Sequence, residues 1–207
     1  MISRKQITKI CDNCDKCGLP IITCICNSIN TIKTKAKFII LSSEREVHRN
    51  TNTASLLKEI TPESTEVIIW KRGETSQEIL SYINNDIYKV YLIFPTINEE
   101  MEKRKVKYIK DEHIPVFIIV DGTWKEAWKI IRRSNYLKEI PLLPLGVDEI
   151  SKFTLRRGQQ EGNLCTIEAA IELLKMNGEN NESESINRYF ELFLDSYKAG
   201  LSGHKIN

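Results

Sequence analysis

Apolar, β-branched runs recur along the chain with helix-patterned stretches between them. Phe38-Ile39-Ile40-Leu41, Val67-Ile68-Ile69-Trp70, Val90-Tyr91-Leu92-Ile93-Phe94 and Val116-Phe117-Ile118-Ile119-Val120 each read as a strand. Near-continuous apolar strands alternating with helices predict an α/β fold, with a mostly parallel sheet covered by helices on both faces. Helix starts are marked by Thr75 with Glu78, Thr96 with Glu99 and Thr123 with Glu126, the spacing of reciprocal N-terminal caps. A first helix is expected from near Asn52 to Pro62. Ile140 to Leu145 reads as a late or edge strand interrupted by Pro141 and Pro144. A helix is expected over 165–176, a polar loop over 177–185, and an amphipathic helix over 186–199. Trp124, Ala127, Trp128 and Ile131 share one helix face and read mostly as core.

Three units are expected: a basic Cys-rich segment over 1–36, an α/β domain over 37–178, and a C-terminal loop and helix over 179–207 packed on the same domain. At 41% hydrophobic and 28% charged residues, the 207-residue chain can bury a core. No apolar run reaches the roughly 20 residues that cross a bilayer. The first ten residues lack the apolar stretch of a signal peptide, which predicts a cytoplasmic protein without membrane contact. The near-neutral total of 30 basic and 28 acidic residues hides an asymmetry. Residues 1–37 hold seven Lys/Arg against two Asp/Glu, and the remainder 23 against 26. A basic arm on a mildly acidic body points to a polyanion such as nucleic acid, or else to a solvated tail.

Five of the six cysteines fall between Cys11 and Cys26. Cys14-x-x-Cys17 and Cys24-x-Cys26 can supply four thiolates to a tetrahedral ion, which suits a structural zinc. Cys11 forms an overlapping C-x-x-C with Cys14, so the first pair is either Cys11/Cys14 or Cys14/Cys17. Asp121 follows the strongest strand directly, and Gly122 and the cap Thr123 come next. In open α/β sheets ligands sit beyond the carboxyl ends of strands, so Asp121 is either a site residue or only a strand end. On the following helix Lys125, Lys129, Arg132 and Arg133 form a basic face, suited to solvent or to RNA. Thr166 and Glu168 fall in the first turn of a late helix, where free N–H groups can hold a carboxylate. Cys165 has no His placed beside it by sequence, and nucleophilic catalysis is not expected.

In order along the chain, these residues resemble the DTW-domain family of tRNA-uridine aminocarboxypropyltransferases. The motifs are the two cysteine pairs, Glu46 with Asn52-Thr53, Phe94-Pro95, Asp121-Gly122-Thr123-Trp124 with its basic helix, Leu155-Arg156 and Cys165-Thr166-Ile167-Glu168-Ala169. The pattern is most similar to the bacterial members, which act on the tRNA variable loop. It departs from the family at Ser43-Glu44, where His-Pro is frequent, at Ala54, where Gly is usual, and at Phe153, where Tyr is common.

The resemblance implies a fold related to the SPOUT methyltransferases, with a C-terminal trefoil knot. It is consistent with Leu41-Ser-Ser-Glu-Arg-Glu46, which lacks the glycine-rich turn of a dinucleotide site. The implied reaction is transfer of the 3-amino-3-carboxypropyl group of S-adenosylmethionine to N3 of a tRNA uridine, with methylthioadenosine released. Asp121 is then the expected general base. Asn52, Thr53, Pro95, Gly122, Thr123, Trp124, Leu143, Thr166, Glu168 and Ala169 are expected at the cofactor. Arg49, Lys125, Arg132, Arg133, Arg156 and Arg157 are expected on RNA, and Cys14, Cys17, Cys24 and Cys26 on zinc. A methyltransferase of the same fold, a ribosomal-RNA enzyme transferring the same group and a zinc-bearing RNA-binding module are the alternatives.

Overall fold

The structure is a computed structural model that describes residues 7–8, 11–49, 51–146 and 164–202. Four parallel strands, β1 (Lys37–Ser42), β2 (Thr65–Ile69), β3 (Tyr88–Ile93) and β4 (Ile114–Asp121), form a sheet in the order β2-β1-β4-β3. These are the four apolar runs of the sequence, and the α/β class is as expected. Six α-helices are described: α1 (Thr53–Ile60), α2 (Gln77–Ile83), α3 (Glu99–Lys103), α4 (Trp124–Arg133), α5 (Thr166–Met176) and α6 (Asn180–Leu201).

Alternation along β1 sends Phe38 and Ile40 to one core with α1, α5 and α6. Ile39 and Leu41 go to a second core with α2, α3 and α4. Both faces of the central strands β1 and β4 are therefore dry, which is why these read as unbroken apolar runs, while the edge strand β2 is more open, with Ile69 exposed. The knot implied by the resemblance depends on the chain path through 147–163, which lies outside the described residues, as do Phe153, Leu155, Arg156 and Arg157.

Several local expectations shift. Ser76 and Asn98, rather than Thr75 and Thr96, cap α2 and α3, accepting from the backbone N–H of Ile79 and Met101. Thr123 and Glu126 do form the reciprocal cap of α4. Residues 140–145 form no strand. Leu142 makes isolated bridges to Leu92 and Lys105 beside β3, because Pro141 and Pro144 have no N–H with which to extend the ladder.

The loop expected over 177–185 is instead a tight turn and the first part of α6. Gly178, at φ 78°, closes α5: its N–H donates to Lys175 and that of Glu179 to Leu174. Glu179 is buried and accepts from the backbone N–H groups of Lys35 and Ala36 and from Asn177 Nδ2. The polar composition of 177–185 reflects this latch and a solvated helical turn.

Candidate functional site

β1 and β4 pair in parallel with Ser42 opposite Asp121, so both strands end at one place on the carboxyl edge of the sheet. The Asp121 carboxylate is 5% exposed. Its Oδ2 accepts from Ser42 Oγ and from Asn52 Nδ2, both at 2.9 Å, and its Oδ1 accepts from Thr166 Oγ1 at 2.7 Å. The three donors stand on β1, at the start of α1 and at the start of α5, so Asp121 joins three elements to β4. A carboxylate has four acceptor positions. Among the described residues three are taken, all by neutral donors, and one on Oδ1 remains.

Asn52 is doubly engaged, its Oδ1 capping α1 through Ser55 N–H at 2.7 Å while its Nδ2 also reaches the Glu46 carbonyl. Thr53 is buried beside Cys165. Cys165 caps α5, and its N–H donates to Glu168 Oε2 at 2.8 Å, so the start of α5 already carries a carboxylate of the protein. Burial, and then the Glu168 charge, push the Cys165 thiol well above its ordinary range, which opposes a nucleophilic role.

Over the ends of β3 and β4 lies a cleft of about 250 Å³, lined by Phe94, Pro95, Gly122, Trp124, Leu145 and Ala169 among others. Trp124 is 48% exposed rather than core, and stacks on Phe94 with ring centroids 4.9 Å apart and planes 16° off parallel. Ala127 and Ile131 of the same stripe are buried, and Trp128 is half-buried. Gly122 is tightly placed: a Cβ there would stand 3.2 Å from Glu126 Cβ.

Thr123 hydrogen-bonds Glu126, and so serves the helix cap. Burial raises the Glu126 carboxyl, but the Thr123 bonds and the charges of Arg49 and Arg45 outweigh it and hold it below the ordinary range. Those two arginines therefore stand near the start of α4, and Arg49 also pairs with buried Glu46 at 3.4 Å.

Of the expected cofactor residues, the structure thus gathers Pro95, Gly122, Trp124 and Ala169 around the cleft. Asn52, Thr166 and Asp121 form one network at the strand ends. Leu143 is core, its N–H bonded to Leu92, and Leu145 lines the cleft instead. Lys125, Arg132 and Arg133 are exposed on α4. Sequence reasoning missed Ser42 and Leu164, and quoted Phe94 as part of a family motif without giving it a role at the site. A serine ending an apolar strand, and an aromatic residue ending the next but one, were the available signals.

The cysteine segment forms a separate centre. Cys14, Cys17, Cys24 and Cys26 offer sulfurs all within 4.8 Å of one another, with 3.6 Å from Cys14 to Cys26 and 3.8 Å from Cys17 to Cys24. Four thiolates about 2.3 Å from a tetrahedral ion stand about 3.8 Å apart, so the spacing fits zinc. Cys17 rather than Cys11 completes the set. The first pair sits on a turn closed by Gly18 (φ 74°), with Gly18 N–H donating to the Cys14 carbonyl. Burial raises the Cys14 thiol, but the N–H groups of Cys17 and Lys16 and the neighbouring sulfurs bring it down to about 7, while burial pushes Cys17 up to about 11. The turn is anchored because Cys17, Leu19 and Ile25 join the core of Tyr189 and Phe193 on α6.

Among the described residues no helix is long and apolar enough to cross a membrane. No solved structure matches the chain significantly. The tRNA-uridine aminocarboxypropyltransferase 2 of Drosophila melanogaster is 24% identical over 176 residues, which is 79% of this chain and 65% of that protein. The chain thus spans a little under two thirds of that relative's length. The DTW domain matches residues 11–198, a span that includes the four clustered cysteines, the Asp121 network and the Trp124 cleft, and the chain belongs to the DTW-domain family.

Proposed function

We propose that the protein transfers the 3-amino-3-carboxypropyl group of S-adenosylmethionine to N3 of a uridine in the tRNA variable loop, in a SPOUT-like fold with a C-terminal knot. The observation that carries this reading is the joining of the family's Asp121 to Asn52 and Thr166 at the edge of the sheet, beside an aromatic cleft. The cleft fits a sulfonium nucleoside in its chemistry: Trp124, backed by buried Phe94, offers an exposed ring face, and the buried carboxylates of Asp121 and Glu168, each next in sequence to the lining residues Gly122 and Ala169, complement cationic ammonium and sulfonium groups. When bound, S-adenosylmethionine supplies the electrophilic carbon next to sulfur, and its sulfur leaves with methylthioadenosine.

Asp121 takes the proton from uracil N3 through the position on Oδ1 that no described residue fills. The new N–C bond forms as the C–S bond breaks. Ser42, Asn52 and Thr166 hold the carboxylate in one orientation throughout, so its base atom is preset. Arg49 and Lys125 hold phosphates near the start of α4, and Arg132 and Arg133 hold them at its other end, giving salt-sensitive affinity; Arg156 and Arg157 are assigned to the same role. Zinc on Cys14, Cys17, Cys24 and Cys26 is structural, since four thiolates leave no open position.

The test incubates purified protein with unmodified tRNA and S-adenosylmethionine, then weighs the digested nucleosides. A uridine carrying the aminocarboxypropyl group, with methylthioadenosine released, is expected. A methylated nucleoside would overturn the chemistry, and an unmodified tRNA would overturn the substrate.

A further inference from the structure

The carboxyl edge of the sheet carries a second cleft, past the end of β2 and separated from Asp121 by β1. It holds about 530 Å³ and is lined by Leu41, Trp70, Lys71, Gln77 and Tyr136 among others, within the range of small-ligand sites. Trp70 is fixed in place there. Its indole N–H donates to Ser134 Oγ at 2.9 Å, and the Lys129 ammonium lies 5.8 Å from its ring centroid. Ser134 is the residue that ends α4, whereas Trp124 begins α4 in the first cleft. The helix therefore links the two aromatic clefts, a span of about 15 Å at ~1.5 Å per residue.

Along this link Lys125, Lys129 and Arg132 recur at i, i+4 and i+7, with Arg133 beside them, and all four are exposed. The carboxylates of the second cleft are on the other side: Glu74 pairs with Lys71 at 3.5 Å, and Glu78 accepts from Ser76 at 2.8 Å near the start of α2. Residues 71–78 sum to zero charge, with Lys71 and Arg72 against Glu74 and Glu78, so it is the α4 side that attracts a polyanion. Basic tracks beside aromatic platforms are the arrangement that holds single-stranded nucleic acid without reading sequence.

We propose that the Trp70 cleft receives a second unpaired base of the RNA, displaced along the strand from the reacting uridine. That base stacks on Trp70 while the intervening phosphates lie along α4. This rests on the reading of tRNA as substrate, and deepens it by naming a second contact point.

The test is binding of fluorescently labelled unmodified tRNA, read by anisotropy over a salt series without S-adenosylmethionine, with melting curves for each variant. Trp70→Ala is expected to weaken binding about tenfold, from the ~1–3 kcal/mol typical of base stacking, and to leave the salt slope unchanged. Trp70→Phe keeps a ring and stays within about threefold of wild type. Lys129→Ala lowers the salt slope by about one. Wild-type affinity in a folded Trp70→Ala protein would overturn the subsite alone; failure of the wild-type protein to bind tRNA would overturn the substrate reading as well. Should Trp70→Ala not fold, a Trp124→Phe/Trp128→Phe protein leaves Trp70 as the sole tryptophan. Its emission is expected to be quenched by bound tRNA, and unchanged emission from the complex would sink the proposal.

Discussion

Replacing Asp121 removes a reactive carboxylate and, at the same position, the acceptor of three buried donors. Asp121→Ala takes an acceptor from each of Ser42, Asn52 and Thr166, at a cost of up to about 1–3 kcal/mol apiece that does not add fully and is smaller where a second acceptor remains, as the Glu46 carbonyl does for Asn52. A loss of about 2–4 kcal/mol corresponds to a fall of roughly 5–15 °C in the melting midpoint for a domain of this size. Nucleoside formation is expected to fall at least ~100-fold, as for the loss of a general base. Asn52→Ala separates the two roles. It removes one donor from Asp121 and the cap of α1, so stability should fall by about 1–2 kcal/mol. Turnover should then fall less than in Asp121→Ala, when both are measured well below their melting midpoints. Equal losses in the two variants would make Asp121 a structural residue only.

Elements are held to one another here by a few specific contacts besides the two cores. Gly200 lies where α6 meets the cysteine segment: an added Cβ would stand 2.8 Å from Pro20 Cγ and 3.0 Å from Thr23 Oγ1. Gly200→Ala is therefore expected to loosen that docking by about 1–3 kcal/mol. Hydrogen exchange should show faster exchange over 14–28 and little change in β1 to β4.

At the opposite edge, Lys89 on β3 bonds Asp111, just before β4, at 2.6 Å. That bond, with the His113 N–H, holds the Asp111 carboxyl at about 2, below its ordinary 3.8. A depressed carboxyl stabilises the fold fully above its unfolded pKa, and that contribution disappears as pH falls through the folded value. The Asp111→Asn protein should accordingly lose less stability than wild type between about pH 4 and pH 2, as read from denaturant midpoints. Identical pH profiles would show that the pair does not tie the strands.

Across the whole molecule the cysteine centre and the Asp121 site are separate structures, which predicts a graded response to metal removal. Native protein should release one zinc per chain to a strong chelator. The 11–28 segment then loses protection while the parallel sheet survives, because the sheet's cores on both faces are built mainly from β1–β4 and α1–α6. Simultaneous collapse of both regions would mean that the segment is integral to the main fold.

How far the sequence alone reached follows from the range of each interaction. β-branched runs identify all four described strands, and of the three caps read from the sequence Thr123 holds while those of α2 and α3 fall one and two residues later, at Ser76 and Asn98, since propensity and capping act over a few residues. Cys14, Cys17, Cys24 and Cys26 were legible because metal ligands on one short segment lie close in space whatever surrounds them. The partners of Asp121 were not, being 79, 69 and 45 residues away along the chain at Ser42, Asn52 and Thr166. Only the pairing of β1 with β4, together with the docking of α1 and α5 on the sheet, brings them to one point. The same holds for 177–185, whose polar composition reads as a loop but becomes helix once Glu179 latches the chain before β1. It holds also for Trp124, an apolar-stripe residue that finds Phe94 and a cleft instead of the core. Local chemistry thus determined the elements and the cysteine cluster, while strand order and helix docking decided which side chains share a site, because those contacts join segments far apart along the chain.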